Sequence, residues 1–113
     1  MNNSNEKQDK FRVSIFDKIK KINESGIEYW SARGFSELLE YSEFSKFKKV
    51  LENAIVSCNN SGYKSLDHFA QVSEMVDIGS GAKRSIIDYH LSRYACYLIV
   101  QNADPTKEVV ALG

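Results

Sequence analysis

Phe44, Phe47, Leu51, Ala54, Ile55 and Cys58 fall within one arc of roughly 100° when the chain is wound at 100° per residue. This stripe constrains the fold more than any other feature, because a helix with one apolar face needs a partner to cover it. The chain has 113 residues, one domain's worth. A domain of that size buries roughly two-thirds of the surface its unfolded chain exposes. A hydrophobic fraction of 42% and an aromatic fraction of 12% supply the material for a core. A second helix, "RYACYLIVQNA", is capped by Ser92, and its residues from Tyr94 to Val100 are apolar or amphipathic throughout, so it is buried nearly all round. That run is much too short to span a bilayer. Asp104-Pro105 ends it and reads as the start of a further helix, with Asp as N-cap and Pro in the first helical position.

Other elements follow from local signals. "SIFDKIKKI" places Phe16, Ile19 and Ile22 three apart after a capping-box-like Ser14 and Asp17, which predicts a short helix with an edge strand as the alternative. "NESG" stops it, and "IEYW" is a short extended segment. Ser31 opens a helix carrying Ala32, Phe35, Leu38 and Leu39 on one face, and Gly34 weakens its first turn. Ser42 is the expected cap of the striped helix, and Gly62 suits a left-handed position at its end. Two helices joined by so short a turn are similar to a helix-turn-helix. The breaker "GSGAKR", followed by "SIIDYHL", predicts strands near 71–78 and 86–91 joined by a longish loop. The expected fold class is α+β: a mostly helical single domain with a small antiparallel hairpin.

Cys58 and Cys96 match no metal-ligand spacing and read as buried free thiols of a reducing cytoplasm. The polar start, "MNNSNEKQDK", has no apolar core of a secretion signal. The expected location is cytoplasmic, with no membrane attachment.

Net charge is zero, which argues against a strongly basic nucleic-acid binder. Residues 1–64 carry eleven Lys or Arg against nine acids, and residues 65–113 carry four against six. A polyanion would therefore have to use a local patch. "GSGAKR" is neither a Walker A loop nor a dinucleotide fingerprint. Its glycines can turn backbone amides toward an anion, and Lys83 and Arg84 add charge. Loop chemistry alone favours a solvated hairpin tip over a phosphate contact. Lys46 and Lys49 share one polar face of the striped helix, with Asn53 between them in angle and Lys48 at the border of the stripe. Glu43 and Glu52 dilute that face, and spacing alone favours an ordinary solvated surface. His68 and His90 have no serine or cysteine partner for a triad and no third ligand for zinc. Arg93 stands at a helix N-terminus, where a cation opposes the dipole, so an internal salt bridge, with Asp88 as one candidate, is favoured. No catalytic constellation, cofactor site or metal site emerges.

The motifs are more specific than their spacing. "EYWSAR", "LLEYSEFSKF", "VSCNNSG", "DHF", "IGSGAKR" and "DYHLSRYACYLIVQNADPTK" occur in that order. Together they resemble the N-terminal part of the DNA-damage-inducible protein D family over residues 16 to 113. Gly34 departs from the pattern, at a position often Asp or Gln. That family is similar in turn to the BRO-N domain of phage and baculovirus proteins, a module associated with DNA binding and antirepressor roles. The resemblance implies a bacterial regulator induced in the SOS response to DNA damage, not an enzyme. It also implies a longer protein, with residues 1–12 as a flexible tail and 13–113 as a BRO-N-like domain. It raises Lys83, Arg84 and Arg93 as candidates for contact with an anionic partner.

The leading expectation is a module that binds single- or double-stranded DNA through Arg33, Lys46, Lys49, Lys83 and Arg84, with a few salt-sensitive phosphate contacts. The rival is a protein-interaction module acting on a recombination-repair protein such as the RecA filament, through an apolar patch around Tyr41, Phe44 or Tyr63. A homodimer stays open. The DNA reading requires the 79–84 turn to approach the polar side of the helix that starts near Phe44.

Overall fold

The computed structural model describes residues 16–103. Residues 1–15, including the expected Ser14 cap and tail, and the expected helix after Asp104 lie outside them. Helix α1 (residues 16–19) leads directly into strand β1 (Lys21–Ile22), so the alternatives weighed for "SIFDKIKKI" both occur in succession. An Asn23 turn follows. The Asn23 Oδ1 accepts from the backbone N–H of Ser25 and Ile27, and Gly26 takes the left-handed φ of 79° that closes it. Strand β2 (Glu28–Ser31) pairs back on β1, Lys21 opposite Tyr29.

Ser31 caps helix α2 (Ala32–Leu38), its Oγ accepting from Gly34 N–H. The helix ends in a Schellman turn: Tyr41 N–H donates to the Ser36 carbonyl and Glu40 N–H to the Glu37 carbonyl. Glu40 takes the left-handed position there, at φ 64°. Helix α3 (Phe44–Asn60) begins at Glu43 rather than Ser42, and no side chain caps it. Its end is as expected, with Gly62 at φ 85° and Tyr63 N–H donating to the Cys58 carbonyl. One turn, α4 (Ser65–His68), leads into strands β3 (Phe69–Gly79) and β4 (Ala82–Leu91). Helix α5 (Arg93–Asn102) follows, with Ser92 accepting from Ala95 N–H.

The α+β class is correct, but the strand share is larger than the sequence predicts: 48% of the described residues are helical and 31% are strand. The sheet has four strands in the order β1-β2-β4-β3, all antiparallel. The hairpin is long, and its loop is only two residues. Ser80 and Gly81 both have positive φ, 52° and 76°, the signature of a tight hairpin turn whose twist matches the strands. Residues 82–85, expected in a loop, therefore join β4.

The core lies where α3 and α5 meet α2 and the base of the sheet. Trp30, Phe35, Leu39, Phe47, Leu51, Leu91 and Ile99 are fully buried. Each contributes on the order of 1.5–3 kcal/mol by leaving water. Phe16 stacks on Phe35 at 5.5 Å, and the Trp30 indole N–H donates to the Phe16 carbonyl at 3.0 Å. Both cysteines are free and buried, as expected. Burial pushes the Cys96 thiol well above its ordinary pKa. No helix among the described residues is long and apolar enough to cross a membrane.

One buried carboxylate ties the hairpin to this core. Asp88 in β4 accepts from Ser31 Oγ at 2.6 Å, Arg33 N–H at 3.0 Å and Tyr89 N–H at 2.8 Å. It is 2% exposed. The charge sits at the start of α2, where exposed backbone N–H groups favour an anion. We expect Asp88→Ala to cost about 2–4 kcal/mol in urea unfolding, because it strands three donors. Asp88→Asn, which keeps a carbonyl for the two backbone donors, should lose less than half of that. Gly34 is helical, and a Cβ there would lie 3.8 Å from Ser31, in ordinary contact. Gly34→Ala should stabilise by about 0.5–1 kcal/mol and raise Tm by a few degrees.

Candidate nucleic-acid interface

Arg33 leaves the first turn of α2 and lies across the outer edge of β4. Its Nε donates to the Ile87 carbonyl at 2.9 Å, and its guanidinium stands 4.2 Å over the Phe44 ring. Its Nη atoms have no acceptor among the described residues. A guanidinium held this way has lost its rotamer freedom, so further hydrogen bonds through its free edge cost little entropy.

Arg33 and Phe44 form one wall of an open cleft of about 390 Å³. Ser45 and Lys48 of α3 continue that wall, and Arg84, Ser85, Ile86, Ile87 and Tyr89 of β4 form the other. Three of these nine residues are cations and none is a carboxylate. The expected approach of hairpin and helix therefore occurs, but through the strand beyond the turn; the glycines at the tip do not line the cleft.

The candidate cations separate on geometric grounds. Lys48 is four residues from Phe44 and stacks on the same face of α3, so it lines the cleft. Lys46 and Lys49 are exposed on other faces and do not. Strand alternation sends Lys83 and Arg84 to opposite faces of the hairpin. Arg84 reaches the cleft, whereas Lys83 stands opposite Asp77 in register. Arg93 makes a bidentate pair with Glu28, at 2.9 and 3.0 Å, and its guanidinium lies 5.3 Å over Trp30. The partner is Glu28 and not Asp88, whose oxygens are taken by Ser31, Arg33 and Tyr89. The Arg93 hydrogen bond holds the Glu28 carboxyl below its ordinary pKa.

Sequence reading missed two groups. Lys48 stands at the border of the apolar stripe, and its four-residue spacing from Phe44 is the signal available in the sequence. Lys18, Lys20 and Lys21 line a second cleft, of about 480 Å³, with Ser31, Gly34 and Glu37. A smaller depression of about 160 Å³ shares Arg33 and Phe44 with the first cleft and Glu37 with the second.

The histidines need one correction. Ser92 Oγ lies 2.6 Å from His68 Nδ1, so a serine does stand beside a histidine, brought there by the return of β4 to the start of α5. The same Oγ accepts from Ala95 N–H as the cap of α5. His90 packs on Tyr29 at 4.2 Å. Among the described residues, no three His, Cys, Asp or Glu side chains group as metal ligands. Of the aromatics named for an apolar patch, Tyr41 and Phe44 pack half-buried against the core, while Tyr63 is exposed.

Comparison with known proteins places this geometry in a family. The N-terminal domain of the BRO family matches residues 18–112. The "DNA damage-inducible protein D" of Escherichia coli (strain K12) is 54% identical over 98 residues, which cover 87% of this chain and 36% of that protein. The chain thus spans about a third of the length of that relative. No solved structure matches it significantly. Both matches run through Ser31, Arg33, Arg84 and Asp88 and cover nearly the whole described fold: the chain belongs to the BRO family, as its N-terminal domain.

Proposed function

We propose that this domain is a non-enzymatic nucleic-acid-binding module of a DNA-damage-response regulator. The observation that carries the reading is the convergence of Arg33, Lys48 and Arg84 in one cleft that no carboxylate lines. Three side chains of the cleft suit a phosphodiester backbone directly. The Arg33 guanidinium, braced on Phe44 and Ile87, presents a planar donor edge of the kind that holds a phosphate through two hydrogen bonds. Lys48 and Arg84 add charge on the facing walls. Phe44 and Tyr89 provide aromatic surface between the cations, the combination by which strands are held without reading sequence. The name of the relative, a DNA damage-inducible protein, supplies the biological setting.

A neutral body that offers a cleft of three cations makes few phosphate contacts, so its affinity is modest and depends steeply on salt. The second reading, a module that acts on a recombination-repair protein, is favoured by the zero net charge and by exposed Tyr63 and Leu66 near α4.

Fluorescence anisotropy with labelled single- and double-stranded DNA over a salt series separates the two. Lys48→Ala/Arg84→Ala should lower affinity at least about tenfold and reduce the slope of log K against log salt by about 1.4–1.8. Lys46→Ala/Lys49→Ala should stay within about twofold of the parent, because those residues lie outside the cleft. Absence of binding at low salt would favour the protein-partner reading.

A further inference from the structure

The outer edge of β3 is, among the described residues, a long stretch of strand backbone that nothing above uses. β3 is the last strand of the sheet and 11 residues long. Beyond Phe69 it is scarcely buried, and Met75 is 64% exposed. Proteins usually blunt such an edge with proline, lysine, shortness or a bulge. β3 has neither residue, and its irregularity lies only at the tip, between Asp77 and Gly79.

Which backbone groups face outward follows from β4. The Ile87 carbonyl accepts from Arg33 and Tyr89 N–H donates to Asp88, both away from β3. The odd-numbered residues of β4 therefore point away from β3. Met75 pairs with Ser85 and Ser73 with Ile87. In an antiparallel ladder, residues directly opposite share one orientation. Gln71, Ser73, Met75 and Asp77 thus present their N–H and carbonyl groups outward.

We infer that this edge pairs with β3 of a second copy of this chain, antiparallel and centred on Met75. The strand is self-complementary in that register. Met75 meets Met75 of the partner subunit, Ser73 meets Asp77 and Glu74 meets Val76. No carboxylate stands directly opposite another, whereas centring on Asp77 would oppose two aspartates. Glu74 of the two copies lie on a diagonal, roughly 7–8 Å apart. Arg84, diagonal to Glu74 within each chain, offsets that charge. Ser73, Met75 and Asp77 then join the ladder, giving about six inter-chain hydrogen bonds, while Gln71 falls opposite the irregular tip. The two four-stranded sheets become one, and the part of each hairpin beyond β2, where only two strands pair, gains a further neighbour. The inference does not rest on nucleic-acid binding, since the cleft lies on the far side of β4.

Sedimentation velocity across a wide concentration range tests it. The parent domain should show a concentration-dependent dimer. Met75→Pro removes an N–H that the β3–β4 ladder does not use, and Met75→Lys adds an edge charge. Both should weaken the dimer at least about tenfold while circular dichroism stays unchanged. Met75→Cys should form an inter-chain disulfide on mild oxidation, since the paired Cα atoms would be about 5.5 Å apart. Gln71→Cys should not. A monomer at every concentration, or a dimer that both edge variants leave intact, overturns the proposal.

Discussion

The three hydrogen bonds to the Asp88 carboxylate hold the working parts of this domain in register. Two of them join β4 to the cap and first turn of α2, segments more than fifty residues apart in sequence, and the third, from Tyr89 N–H, is local to β4. The charge needs no cation, because it meets a hydroxyl and two backbone N–H groups at a helix start, where the peptide dipoles already favour an anion. Arg33 is fixed from two sides as a result. Its own N–H is bound to Asp88, and its Nε is bound to the carbonyl of the residue before. The guanidinium has little choice but to lie on Phe44. The cleft wall follows from that one buried group.

The remaining architecture supports the same arrangement. The stripe on α3 buries Phe47, Leu51, Ala54 and Cys58 against the core, which leaves the border residues Phe44 and Lys48 facing β4. Arg93 is engaged on another side of the molecule by Glu28, so its charge is neutralised. A chain with no net charge can in this way carry a cleft lined by three cations and, among the described residues, by no carboxylate. What matters to a polyanion is the local field, which falls off within a Debye length of about 8–10 Å.

Legibility in the sequence tracked the distance over which each feature is decided. Ser31 and Ser92 as caps, Gly62 as a helix terminator and the α3 stripe depend on neighbours within a few residues, and all were readable. The ordered motifs of "EYWSAR" and "DYHLSRYACYLIVQNADPTK" identified the family. The long-range facts were not readable. Nothing local distinguishes Asp88, bonded across the fold, from a surface acid, or shows that Ser92 meets His68. The length of the hairpin turned on whether Ser80-Gly81 alone could close it, and that error moved Lys83 and Arg84 from one loop onto opposite faces of a strand. The shared polar face of Lys46 and Lys49 is local, but the position of β4, which makes Lys48 the lysine that faces the cleft, is a property of the packing.

The central claim is that one cleft, built between α3 and the outer edge of β4 and braced by Arg33, receives the nucleic acid. The most direct measurement is a titration of the isotopically labelled protein with a short DNA strand, followed residue by residue in amide and arginine side-chain NMR spectra. Shifts should concentrate at Arg33, Phe44, Ser45, Lys48 and residues 84–89, and leave Lys46, Lys49 and Arg93 in place. Perturbations centred instead on the exposed face of α3 or around Arg93 would contradict the account.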